Sequence, residues 1–171
     1  MQTIRLNDNN LLGSIPKSFG LMTNCRVLIL SRNALVGKIP AELANTQGRT
    51  LNFDNNQLSG QIPSELFALT ELNTLNLQNN YLSGTIPSEI GNSTSISSIN
   101  FSKNQLGGSI PSEIGNLVEI RSAINFSSNQ LSGEIPSEIG RLGRMSKSLS
   151  RTITSIMSSR ASVYYYSILI L

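Results

Sequence analysis

The chain has 171 residues, a formal net charge of +3, no histidine and a single cysteine. That length suits one domain, and a lone Cys25 without histidine excludes both an internal disulfide framework and a zinc-type metal site. The charge is unevenly placed: residues 1–140 carry eight basic and ten acidic groups, whereas 141–171 carry Arg141, Arg144, Lys147, Arg151 and Arg160 and no acid, which leaves a nucleic-acid surface on the body without electrostatic support.

The first residues already belong to a repeat rather than to a charged-then-apolar leader, so the start reads as a cut edge. Ile4-x-Leu6, Asn9, Leu11, Gly13, Ile15 and Pro16 set a pattern that recurs around Asn33, Asn56, Asn80, Asn104 and Asn129 and uses all six prolines. The second copy has Cys25 at an inward leucine position, which predicts a small buried hydrophobe rather than a reactive thiol. In the third, Thr46-Gln47-Gly48-Arg49 replaces the leading leucines and Asn56 follows Asn33 by 23 residues, so local packing is expected to suffer there. The fourth, Leu69 to Ile90, is the most regular. The fifth has Ser93 where Leu69 stood, and the sixth follows at a spacing of 25 residues with an insertion near Ser122 and Ala123.

A fixed period in the twenties means units too small to bury their own apolar faces, which must stack on one another. The L-x-L segment is expected as a short strand in a parallel sheet. The recurring asparagines, Asn9, Asn33, Asn56, Asn80, Asn104 and Asn129, are expected to satisfy buried backbone groups at the strand exit and to form a ladder. Glycine supplies the next bend and proline ends strand pairing. Ser64, Ser88, Ser112 and Ser137 then read as caps of short helical turns, each with a glutamate near the positive end.

Six near-complete copies of L-x-x-L-x-L-x-x-N-x-L-x-G-x-I-P over residues 3–142 resemble the plant-type leucine-rich repeat. That resemblance implies an α/β repeat solenoid, a curved right-handed superhelix with a short-stranded parallel sheet on the concave side and 3₁₀ or short helical turns on the convex side. Residues 1–142 then form six repeats and 143–171 a basic non-repeat tail, in which Met145 to Met157 has an amphipathic rhythm expected to cap the last repeat; weak membrane-surface binding is its other reading. The family's members mostly recognise peptides or proteins, many as ectodomains of receptor-like kinases at the cell surface, and some work with a co-receptor. Others inhibit cell-wall polygalacturonases or bind ice. Paired-cysteine caps, a signal peptide, a membrane helix and kinase motifs are absent from this sequence, so the chain resembles an internal piece of such a protein, extracellular by resemblance.

The residues between the inward leucines form three solvent-facing columns. Arg5, Ile29, Asn52, Asn76, Asn100 and Asn125 make the central one; Thr74 and Ser98 flank it on one side and Asp54, Gln78 and Ser102 on the other. With Arg26 these are the candidate ligand contacts. Asn92, Asn100 and Asn125 begin glycosylation sequons, which matter if the chain enters the secretory pathway. No catalytic constellation, phosphate loop or cofactor motif emerges, so a non-enzymatic recognition module is expected, with a secreted polygalacturonase-inhibitor-like or ice-binding protein as the alternative.

Overall fold

The computed structural model describes residues 2–122 and 124–144; the expected Met145–Met157 helix lies outside them. Six times the chain makes a strand, a second strand and a 3₁₀ turn. The first strands are β1 (Thr3–Arg5), β3 (Val27–Ile29), β5 (Thr50–Asn52), β7 (Thr74–Asn76), β9 (Ser98–Asn100) and β11 (Ile124–Asn125). The second strands are β2 (Leu12–Ser14), β4 (Ala34–Gly37), β6 (Gln57–Gly60), β8 (Tyr81–Thr85), β10 (Gln105–Gly108) and β12 (Gln130–Leu131). Each set forms its own six-stranded parallel sheet. The second sheet adds to the expected concave one. Its L-x-G strands are too short to read from alternation.

The two sheets stack their repeats differently. In the first, equivalent residues face each other: Thr50, Leu51 and Asn52 lie opposite Thr74, Leu75 and Asn76, and these opposite Ser98, Ile99 and Asn100. In the second, Ser59 lies opposite Tyr81 and Ser83 opposite Gln105, an offset of two residues per repeat. An even offset leaves every side chain on its own face, so both sheets keep their leucines inside while the second slides steadily past the first. The 23- and 25-residue spacings leave both registers intact, because Val27 still faces Thr50 and Gly107 still faces Gln130.

Between the sheets lies one stacked core. Leu51, Phe53, Leu58, Leu75, Leu77, Leu82, Ile99, Phe101, Leu106, Ile124 and Phe126 are buried, and the Phe101 and Phe126 rings stack at 5.5 Å. Cys25 joins this core, its thiol against the Val27 carbonyl at 3.6 Å, and burial pushes its pKa up. The first repeat has no neighbour before it among the described residues. Leu6 and Leu11 there are 39% and 37% exposed, against 2% and 5% for Leu30 and Leu35 one repeat later. At the other end Ile124 and Phe126 are buried, while Ile135 is exposed.

Two local expectations are corrected. Around Thr46–Arg49 the packing closes despite the lost residue: Gly48 is buried with the Leu69 and Leu51 side chains folded over it, and a Cβ there would meet Leu69 Cδ1 at 3.2 Å. The Thr46 hydroxyl substitutes for missing backbone, donating to the Leu43 carbonyl at 2.8 Å and accepting from the Gly48 N–H at 3.2 Å. The serines do not cap the turns. Pro63, Pro87 and Pro111 occupy the cap position without a side-chain bond, which puts Ser64, Ser88 and Ser112 inside the turn; there Ser88 and Ser112 donate to Glu89 and Glu113 instead. The glutamates do lie in the first turn, where the exposed N–H groups favour them.

Candidate functional site

The concave sheet is held in shape by the recurring asparagines. Asn80 is 6% exposed; its Nδ2 donates to the carbonyls of Phe53, Leu77 and Gln78 at 3.0, 3.1 and 3.3 Å, and its Oδ1 accepts the Leu58 N–H at 2.9 Å. Phe53 and Leu58 belong to the preceding repeat, so each asparagine staples the exit of one strand to both sheets of its neighbour. Asn33, Asn56, Asn104 and Asn129 repeat the same set. The expected amide-to-amide ladder does not form among them, because backbone groups use both ends of each amide. Asn9 is exposed, and its side chain bonds only within its own repeat.

Immediately before each asparagine the backbone turns left-handed. Asp8, Arg32, Asn55, Asn79, Lys103 and Ser128 have φ between 53° and 57°, a region in which L-residues other than Asn and Asp are uncommon. Sequence reasoning passed over this position, although the Asn or Asp found there three times in six was a usable sign. Their side chains line the rim of the sheet. Asn79 Nδ2 donates to Asn55 Oδ1 at 2.8 Å, and Arg32 pairs with Asp8 at 3.2 Å.

The zero-offset register sets the central column in a straight row: Arg5 faces Ile29, Ile29 faces Asn52, and Asn52, Asn76, Asn100 and Asn125 follow in turn. All four asparagines are half-buried, and each has its Oδ1 fixed by the backbone two residues on. Asn52 accepts from the Asp54 N–H at 3.1 Å and Asn76 from the Gln78 N–H at 3.3 Å. Asn100 and Asn125 accept from the N–H of Ser102 and Ser127 at 3.1 Å and from their hydroxyls at 2.8 Å. Asn100 Nδ2 also donates to Gln78 Oε1 at 2.6 Å. The Nδ2 groups of Asn52, Asn76 and Asn125 have no protein partner among the described residues, so they form pre-oriented donors at the roughly 4.8 Å spacing of a sheet.

The flanking candidates divide. Thr74 and Ser98 are half-exposed on the face beside Asn76 and Asn100, and Gln78 is half-exposed on the other side. Asp54 and Ser102 are buried, at 7% and 3% exposure, and are taken up internally by Asn55 and Asn100. They support the face rather than present it. Arg26 lies just before β3, half-buried, with its Nε on Gln47 at 3.4 Å. Beside it Arg49 pairs with Glu71 at 2.8 Å, which holds the Glu71 carboxyl below its ordinary value. Among the sequons, Asn92 is exposed, whereas the triplets at Asn100 and Asn125 serve as the backbone turns just described.

A family model for the leucine-rich repeat matches residues 1–22, 49–69, 71–93, 95–117 and 122–142. The chain belongs to the leucine-rich-repeat family. It is similar to the leucine-rich repeat receptor protein kinase MSL1 of Oryza sativa subsp. japonica, with 42% identity over 67 residues, which is 39% of this chain and 5% of that protein. Among solved structures it resembles the plant peptide hormone receptor RGFR1 in complex with RGF2, with a TM-score of 0.80 and 37% identity over 81% of this chain and 22% of that one. A plant ice-binding protein is also similar, with a TM-score of 0.74 and 30% identity over 83% of this chain and 44% of that one. This leucine-rich-repeat chain thus spans a small part of its receptor relatives, and its fold is that of a non-catalytic binding module.

Proposed function

We propose that this repeat array recognises a peptide or protein partner through its concave sheet, as part of a receptor-like ectodomain at the cell surface, alone or with a co-receptor. The observation that carries this reading is the straight row of Asx-locked amides at Asn52, Asn76 and Asn125, whose free donors need no rearrangement to meet a ligand. Pre-orientation lowers the ordering cost of binding. Without an aromatic cluster on this face among the described residues the contact is broad and shallow, with Arg5, Arg26 and Ile29 as its charged and apolar end. Thr74, Gln78 and Ser98 complete the polar part.

The same regular spacing favours a second reading, an ordered repetitive target such as an ice surface, which the likeness to a plant ice-binding protein supports. A single pair of variants separates the two. Asn76→Ala and Ile29→Ala, made in the secreted glycan-bearing protein, are assayed for capture of a panel of secreted plant peptides and for inhibition of ice growth. Loss of peptide capture with Ile29→Ala supports the receptor reading. Loss of ice-growth inhibition with Asn76→Ala alone supports the repetitive-target reading, and no loss with either refutes the concave sheet as the site.

A further inference from the structure

The three sequons are not alike in the folded chain. Asn92 closes the 3₁₀ turn Ser88–Asn92, in which Ile90 and Gly91 are buried, and it is itself exposed. Ser93 beside it is fully buried, its hydroxyl donating to the Phe67 carbonyl at 3.0 Å. Thr94 turns outward again and is exposed. The amide of Asn92 and the hydroxyl two residues on therefore stand on the surface together, and neither side chain is hydrogen-bonded among the described residues. There is room around them. The equivalent positions in the adjoining turns, Ser64–Ala68 and Ser112–Asn116, are the exposed Ala68 and Asn116, and Ala68 ends at its Cβ. At Asn100 and Asn125 the same kind of triplet is closed. Each of these asparagines is half-buried, and its Oδ1 accepts both the N–H and the hydroxyl of Ser102 or Ser127. Ser102 is buried as well, and Asn100 Nδ2 is already given to Gln78 Oε1.

We propose that Asn92 is the N-glycosylation site of this array and that the concave row stays bare. The donor is a dolichyl-pyrophosphate-linked oligosaccharide, transferred by the oligosaccharyltransferase of the secretory pathway. Asn92 Nδ2 attacks the anomeric carbon of the donor's first N-acetylglucosamine, and the bond from that carbon to the pyrophosphate oxygen breaks. The amide nitrogen gives one proton to a base of the enzyme, and dolichyl pyrophosphate leaves; nothing is oxidised or reduced. This chemistry makes two demands on the acceptor: an amide that can twist to free its nitrogen lone pair, and a Ser or Thr hydroxyl two residues on for the enzyme to hold. Asn92 and Thr94 meet both as they stand. Asn100 and Asn125 meet them only after the turn at Ser102 or Ser127 opens, which breaks both bonds to the amide oxygen. The glycan then rises from the stack of 3₁₀ turns, where Ser88–Asn92 packs between Ser64–Ala68 and Ser112–Asn116. The donors of Asn52, Asn76 and Asn125 stay open to a ligand. Natural occupancy rests on the cell-surface placement proposed above, whereas the choice of acceptor rests on the geometry alone.

The test expresses the full chain behind a secretion leader in a eukaryotic host. The leader supplies the secretory route, so a chain whose natural place is elsewhere gives the same outcomes. Secreted and cell-retained pools are both digested, deglycosylated enzymatically in heavy-oxygen water and mapped by mass spectrometry, which marks each formerly glycosylated Asn as a labelled Asp. The expected result is label at Asn92 in most molecules and little at Asn100 or Asn125. A single-glycan gel shift should be lost in Asn92→Gln and in Thr94→Val and kept in Thr94→Ser. Both positions are exposed, so these changes spare the core, and the shift is read on denatured chain. An unlabelled Asn92 overturns the proposal. Labelling of Asn100 or Asn125 to the same extent as Asn92 overturns it too, since the closed turns then do not govern the choice of acceptor.

Discussion

Replacing Asn80 by leucine removes one side chain but touches four backbone groups, and the structure says which of them matter. The carbonyls lose little: Phe53 O keeps the Asn56 amide at 3.1 Å, Leu77 O keeps the Asn104 amide at 3.0 Å, and Gln78 O keeps the Asn55 N–H at 2.9 Å. The Leu58 N–H has only Asn80 Oδ1, at 2.9 Å, and Leu58 is fully buried. One orphaned buried donor costs about 1–3 kcal/mol, with a smaller addition from the weakened carbonyls. Asn80→Leu should therefore destabilise by about 2–3 kcal/mol. Asn9→Leu, at an exposed site whose side chain bonds only the Leu6 and Asn7 carbonyls, should stay within the roughly 0.5 kcal/mol typical of surface changes. Urea unfolding followed by circular dichroism measures both. Equal midpoints for the two variants would refute the argument that the amide acts through the neighbouring repeat.

Three further outcomes are expected. A Cβ at Gly115 would lie 2.6 Å from the Glu138 carbonyl oxygen, whereas at Gly140 it meets nothing within 4 Å among the described residues; Gly115→Ala should cost about 1–3 kcal/mol and Gly140→Ala should be neutral or slightly stabilising, as read from thermal midpoints. Lys103 holds a left-handed φ of 57° that asparagine tolerates better, so Lys103→Asn should raise the urea midpoint by the equivalent of about 0.5 kcal/mol, and Asn79→Lys should lower it. Donors hold three carboxyls below their ordinary values: chiefly Asn7 with Arg32 for Asp8, Lys17 for Glu42 and Arg49 for Glu71. Their contribution is present above the ordinary carboxylate range, about pH 4, and is lost as pH falls through the lowered values. Cys25, raised by burial, acts with the opposite sign. Its contribution is present below about pH 8.5 and lost as pH rises through the raised value, so Cys25→Val should flatten only the alkaline limb of a stability–pH profile.

What the sequence disclosed depended on whether a position repeats its chemistry or only its backbone. Leu51, Leu75 and Ile99 recur as apolar residues at a fixed period, and that is enough to place the concave sheet and its register. Asn56, Asn80 and Asn104 recur as one residue type, so their burial follows. The second sheet was not legible because its strands share only a leucine and a glycine, and because its two-residue offset pairs non-equivalent residues such as Ser59 and Tyr81. The left-handed position hides for the same reason: Arg32, Asn79 and Ser128 share a φ and no chemistry. On the face itself, the column Asn52, Asn76, Asn100, Asn125 could be counted from the repeat. The locking of each amide by the residue two positions on could not be counted that way. It is an i to i+2 relation, and the period was read from repeat to repeat.

That locking bears on how such a scaffold changes its target. In the concave sheet the buried row and the exposed row alternate along the same three residues, so Thr74 and Asn76 can vary without disturbing Leu75, which alone meets the core. The asparagine staples sit past the strand exit and touch neither exposed row. Apart from Gln78, whose carbonyl takes the Asn80 amide and whose Oε1 takes Asn100 Nδ2 from the next repeat, the side chains of the recognition surface are separated from those that stack the repeats. Yet Asn52, Asn76, Asn100 and Asn125 are not free ornaments, because each accepts a backbone N–H at the turn two residues on. A change such as Asn76→Ala loses a donor toward the ligand together with one exposed backbone bond at Gln78, whose group can turn to water, so its effect on binding should exceed its effect on folding. Ser102 lacks that latitude. It is buried and its N–H and hydroxyl both bond Asn100 Oδ1, as the N–H of the buried Asp54 bonds Asn52 Oδ1, so Asn100→Ala and Asn52→Ala strand donors of buried residues and couple recognition to stability at those two points in the row.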